Sequence, residues 1–151
     1  MQNEISEALS LFLFVHLALA SDADRGLAGI GLSRTHHRIL FLVDRQPGVT
    51  AAEIVTLLRV TQQAIQGALR TLIDDGFVRQ DSSERDRRRR HLSTTQTGRQ
   101  LLATISKMQY RRIAEAFQSE NSQRRQLFLT MMRSMLDDID RERLYPRVKS
   151  K

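Results

Sequence analysis

Between Glu84 and Leu92 the chain places five arginines, Arg85, Arg87, Arg88, Arg89 and Arg90, around one carboxylate, Asp86. Guanidinium groups make charge-assisted hydrogen bonds to phosphate, and one of them can enter the minor groove of a duplex, where negative potential is concentrated. A free carboxylate in such a cluster would be repelled by a polyanion. Asp86 stands two residues from Arg88 and can instead form an ion pair that fixes that guanidinium in a pointing rotamer. An isolated basic run reads equally as a solvated loop, so the flanking elements decide what this one does.

On both flanks the signals are those of strands. Phe77 and Val78 open one, the polar stretch from Asp81 to Asp86 suits a hairpin tip, and Arg89 to Ser93 can return as the second. Immediately upstream, Thr50 to Gly76 reads as two short helices joined by a turn. Thr50 and Glu53 have the spacing of a capping box, and Ile54, Leu57 and Leu58 give the first helix its buried side. Val60-Thr61 forms the turn. Thr61 caps a helix from Gln62 to Asp75 whose core face is Ile65, Ala68, Leu69, Leu72 and Ile73, and Gly76 ends it in the left-handed region. The opposite face carries Gln62, Gln63, Gln66, Gly67 and Arg70. Glutamine can make two hydrogen bonds to an adenine edge and arginine two to guanine. Such a face alone reads as a solvated surface; followed by a basic hairpin, it reads as a DNA-reading unit with a wing.

The remaining segments are helical. Glu4 to Ala20 is apolar nearly all round, with Ile5, Leu9, Phe12, His16 and Leu19 on one stripe, and so requires cover on more than one side. Ser21 to Gly31 reads as a loop, and Ser33 caps a helix through Ile39, Leu40, Leu42 and Val43 that stops at Pro47-Gly48. Thr95 or Thr97 starts a long helix through Leu101, Leu102, Ile105, Met108, Ile113 and Phe117. A final helix follows Asn121-Ser122, with Leu127, Phe128, Met131, Met132, Met135, Leu136 and Ile139 at intervals of three and four. The expected fold is mainly α with a small β-hairpin wing (α+β). Residues 32–96 form a winged helix-turn-helix DNA-binding domain, and 1–31 with 97–151 form a helical dimerisation region.

Composition agrees with this reading. A chain of 151 residues with 40% apolar and 27% charged residues suits a folded domain with helical extensions. A formal charge of +7 and a pI near 10.9 point to an anionic partner, with nucleic acid favoured over a membrane surface. There are no cysteines, which removes disulfides, thiolate zinc sites and thiol switching and is compatible with a reducing cytoplasm. Leu9 to Ala20 resembles the apolar part of a signal peptide, but Glu4 and Glu7 precede it where a positive region is required, and about a dozen apolar residues are too few for a bilayer. No activated nucleophile, paired catalytic carboxylates, metal set or phosphate-cradling glycine loop stands out, so neither an enzyme nor a cofactor is expected.

These motifs together resemble the MarR family of winged helix-turn-helix transcription regulators. The resemblance is carried by Pro47-Gly48-Val49-Thr50 with Glu53-Ile54, the Val60-Thr61 turn, Leu72 through Asp75-Gly76-Phe77-Val78, and Asp86-Arg87-Arg88 followed by Ser93-Thr94-Thr95 and Gly98; it covers roughly residues 32–102. It implies an obligate homodimer with interlaced termini on a pseudo-palindromic operator, probed by Thr61, Gln62, Gln63, Gln66 and Arg70 in the major groove and by Arg85, Asp86, Arg87, Arg88 and Arg90 of the wing. Asp86 takes the orienting role and Arg88 the minor-groove role. Many relatives carry an arginine where this chain has Gly67, so the operator sequence does not carry over; Thr94 replaces a usual apolar residue and touches only local packing. Release by a small aromatic effector is also implied, with Phe12, His16, His36, His37 and Arg38 as candidate contacts. The bland reading of His16 is a core histidine, and adjacent His36 and His37 cannot both face one pocket. The competing function is a non-specific, architectural DNA-binding protein.

Overall fold

The computed structural model describes residues 1–83 and 86–145, with side chains outside the description at 82, 83 and 86–89. In chain order the elements are α1 (Gln2–Leu27), α2 (Arg34–Arg45), α3 (Ala51–Leu58), α4 (Gln62–Asp74), β1 (Val78–Ser83), β2 (Asp86–Thr94), α5 (Gln96–Gln118), α6 (Ser122–Ser134) and α7 (Asp138–Leu144). They form two compact units, Met1–Tyr110 and Arg111 onward, the division falling within α5.

Local chemistry explains most boundaries in the first unit. Ser33 precedes α2, where its N–H donates to His36 Nδ1 at 3.0 Å and its hydroxyl lies 2.8 Å from the same nitrogen. Thr50 and Glu53 form a reciprocal box at α3: the Glu53 N–H donates to Thr50 Oγ1 and the Thr50 N–H to Glu53 Oε2. Arg59, with φ of 52°, turns the chain between α3 and α4. Thr61 Oγ1 accepts from the Ala64 N–H at the start of α4, and Gly76 beyond its end has φ of +73°. Thr95 starts α5, its Oγ1 accepting from the Gly98 N–H at 3.0 Å.

The core of this unit lies among α2, α3, α4 and the hairpin. Ile39, Leu40, Val43, Ile54, Ile65, Leu72, Val78 and Leu92 are buried there, and burial of such side chains supplies about 1.5–3 kcal/mol each before entropy is counted. At Gly98 an added Cβ would lie 2.0 Å from the Phe77 carbonyl oxygen, so the start of α5 can meet the end of α4 and β1 only without a side chain.

Two expected boundaries need correction. α1 continues through Ser21 to Leu27, because Asp22, Ala23 and Leu27 are buried, Asp22 pairs with Arg25 one turn on, and Gly26 lies directly against the backbone of Ile105. The expected final helix is two helices. Arg141 reaches back to the carbonyls of Arg133, Ser134 and Leu136, satisfying acceptors at the end of α6, while Asp137 precedes the first turn of α7. Elsewhere in this second unit, Asn121 caps α6 and the Phe117 and Phe128 rings meet edge to face at 5.8 Å.

The hairpin is also longer than expected: Asp81–Ser83 belongs to β1 and β2 begins at Asp86, in antiparallel register from Val78 opposite Thr94 to Ser82 opposite Arg90.

Candidate nucleic-acid interface

The Ile65–Leu72 side of α4 is held in the core, which turns Thr61, Gln62, Gln63, Ala64, Gln66, Gly67 and Arg70 outward to solvent. Thr61 serves both as cap and as the first outward residue. Arg70 is paired with Asp74 at 3.5 Å; both are highly exposed, so the pair is weak and reversible. A Cβ added at Gly67 would meet nothing within 4 Å, and the Gly67 carbonyl accepts from the Thr71 hydroxyl at 3.2 Å. The missing side chain at Gly67 therefore answers no packing demand from the described residues.

The wing is tied to the helix-turn-helix through the segment just before α3. Val49 pairs with Leu92 across an isolated antiparallel bridge: the Gly48 N–H donates to the Leu92 carbonyl at 2.8 Å, and the Leu92 N–H to that of Val49 at 3.0 Å. His91 donates from Nδ1 to the Gly48 carbonyl at 2.8 Å. Arg79 is held by Asp81 at 2.9 Å, and the exposed Arg90 reaches Gln80 across the hairpin. Of the predicted wing residues, Arg85 and the side chains of Asp86, Arg87 and Arg88 lie outside the described residues; the backbone of the last three runs in β2. Sequence reasoning passed over His91 and Ala64. A histidine ending the arginine run was the available signal for the first, and helical periodicity for the second.

The residues predicted for an effector pocket are dispersed in role. His36 accepts at the cap of α2, and burial lowers its pKa against a smaller raising effect of Asp75. His37 is buried with its Nε2 3.0 Å from Ser106 Oγ on α5; burial first, then the charge of Arg38, lowers its pKa. Arg38, Phe12 and His16 are exposed. A separate open cleft of about 370 Å³ lies at the base of the wing, between Pro47, Arg79, Thr94 and Arg99.

An outward, polar helix in a capped helix-turn-helix, beside an anchored basic hairpin, defines a winged-helix DNA-binding protein. Residues 30–89 match the MarR family, and over 135 residues the chain is 32% identical to the HTH-type transcriptional regulator PetP of Rhodobacter capsulatus, covering 89% of this chain and 81% of that protein. The chain belongs to the MarR family of transcriptional regulators. Among solved structures it is similar to the transcriptional repressor CouR bound to a 23-mer DNA duplex, with 26% identity, a TM-score of 0.62 and coverage of 89% of this chain and 96% of that one. It also shares the fold of a MarR family protein of Mycobacterium tuberculosis in complex with salicylic acid, with 24% identity, a TM-score of 0.59 and coverage of 83% and 93%.

Proposed function

We propose that this DNA-binding regulator acts as a cytoplasmic homodimeric repressor on a pseudo-palindromic operator. In each subunit Thr61, Gln62, Gln63, Gln66 and Arg70 of α4 face the major groove. Arg88, oriented by Asp86, enters the minor groove beside it, and Arg85, Arg87 and Arg90 contact phosphates. The observation that carries the proposal is the outward face of α4, exposed among the described residues, next to a wing anchored at Val49 and Leu92. The repressor role is supported by similarity to CouR.

Dimerisation is supported by apolar surface that one subunit leaves uncovered. On α1, Leu9, Leu13, Phe14, Val15 and Leu17 are all more than half exposed. The same is true of Leu127, Met131, Met135 and Ile139 in the second unit. By length and composition α1 could also cross a membrane; in this reading a second subunit covers it instead of lipid. Residues 1–31 and 97–151 supply the dimerisation surface, and 32–96 the DNA-binding domain.

A small aromatic carboxylate releases the repressor, a class supported by the salicylic acid complex of the mycobacterial relative. Phe12, His16 and Arg38 keep exposed side chains for it, whereas His36 and His37 are engaged in the α2 cap and the Ser106 bond.

Binding to DNA from the gene's own upstream region, competed with random duplex at fixed salt, tests the proposal. Preference by orders of magnitude is expected, together with weakening by roughly 1–3 kcal/mol in Arg88→Ala and a loss in Asp86→Ala despite removal of a negative charge. Equal binding to all sequences with a steep salt slope would make the protein an architectural binder. Tighter binding by Asp86→Ala would remove the orienting role.

A further inference from the structure

We propose that α4 reads adenine·thymine pairs: Gln63 and Gln66 recognise adenine, and the small residues Ala64 and Gly67 admit thymine methyl groups. This rests on the reading of α4 as the major-groove element.

Recognition of guanine in the major groove uses the two-pronged donor of arginine or the ammonium of lysine on its O6 and N7. The only cation among the thirteen residues of α4 is Arg70. It lies in the second half of the helix beside Asp74, whereas the residues of a recognition helix that reach base edges are those of its first turns. Arg70 is therefore placed for the phosphates of the groove wall. The first turns instead offer Gln62, Gln63 and Gln66, all exposed. A primary amide presents one donor and one acceptor side by side, complementary to adenine N6 and N7. Gln63 and Gln66, three residues apart, share a face about 4.5 Å apart along the helix axis, close enough to address neighbouring base pairs.

Ala64 and Gly67 repeat the same spacing one residue on, and both are exposed. The open space around Gly67 shows that its size is not required by the fold. Beside two adenine-reading amides, a methyl group and a bare Cα offer a small apolar surface with room for a thymine C5-methyl. Alanine is among the side chains that make this contact.

Selection of bound duplexes from a random library by the full chain, followed by replacement of single adenines with 7-deaza-adenine, tests the inference. The analogue removes the N7 acceptor only from the major groove and so leaves wing contacts in the minor groove unaltered. Expected results are A·T pairs at the positions read by α4, an affinity loss of about tenfold on 7-deaza substitution there, and loss of preference at one such pair in Gln63→Ala. Gly67→Arg, whose side chain has open space, should acquire a preference for guanine. Guanine enriched by the wild-type protein at those positions, or indifference to the N7 acceptor, would overturn the inference and leave the regulator reading standing. If no sequence is enriched at all, that reading fails and this inference with it.

Discussion

His91, in the return strand of the wing, donates its Nδ1 proton to the carbonyl oxygen of Gly48 at 2.8 Å, across 43 residues of chain. With the backbone bonds that join Gly48 and Val49 to Leu92, it makes the segment before α3 a short third edge of the hairpin. The base of the hairpin is thus fixed to the same core that holds α4, so the two elements proposed to contact DNA keep one mutual orientation before DNA arrives.

Replacing His91 by alanine leaves the partly buried Gly48 carbonyl without this donor. The expected cost is about 1–2 kcal/mol of stability, measured as a lower urea midpoint with an unchanged slope, together with weaker operator binding.

At Gly67 stability and binding should move in opposite directions. An exposed glycine inside a helix costs roughly 0.5–1 kcal/mol relative to alanine, and nothing surrounds the site to oppose a methyl group. Gly67→Ala is therefore expected to raise the melting temperature and to lower operator affinity by occupying the space beside the glutamines. Thermal unfolding and DNA titration of the same preparation check both halves.

Acid should loosen the first unit near neutrality. The pKa values of His36 and His37 are lowered from 6.5, in each case chiefly by burial. The folded state therefore binds fewer protons than the unfolded one below that value. Their contribution is fully present above about pH 6.5 and declines as pH falls through 6.5 toward the lowered values. The exposed Asp24, whose carboxyl is held down first by its hydrogen bond from Arg34, acts in a separate window below about pH 4. Denaturant titrations at pH 7.5 and 5.5 should show lower stability at the acid value, and His37→Gln should remove part of the difference.

Charge introduced on the uncovered apolar surface of α6 and its C-cap should oppose self-association. Met131 and Met135 are 57% and 54% exposed in the single chain, so a monomer tolerates glutamate at either position while an apolar subunit interface does not. Sedimentation of Met131→Glu should show a lower dimer fraction at equal concentration, with the helical content retained. An unchanged dimer would place the interface elsewhere.

What the sequence makes legible is what short-range chemistry determines. Thr50 with Glu53 and Thr61 ahead of α4 announce their helices because cap and recipient lie within one turn. The period of Ile65, Ala68, Leu69 and Leu72 likewise identifies the buried side of α4 and, by exclusion, its outward face. Features set by distant groups are not legible in this way. Nothing near Ser21 signals that Asp22 will be buried or that Gly26 will touch Ile105, and so α1 reads too short. The break between α6 and α7 depends on Arg141 folding back on three carbonyls. His36, adjacent to the apolar run of α2, invites a ligand role, yet its ring answers the backbone of Ser33.

In the proposed reading α4 supplies sequence discrimination while the wing supplies affinity. The most direct test of that reading is the ratio of dissociation constants for the selected operator and a scrambled duplex of equal length, at one salt concentration, for the wild type and for Gln63→Ala/Gln66→Ala. A wild-type ratio of about 10³ or more is expected, reduced at least about tenfold in the double variant with affinity for the scrambled duplex unchanged. A ratio that survives loss of both glutamines would contradict it.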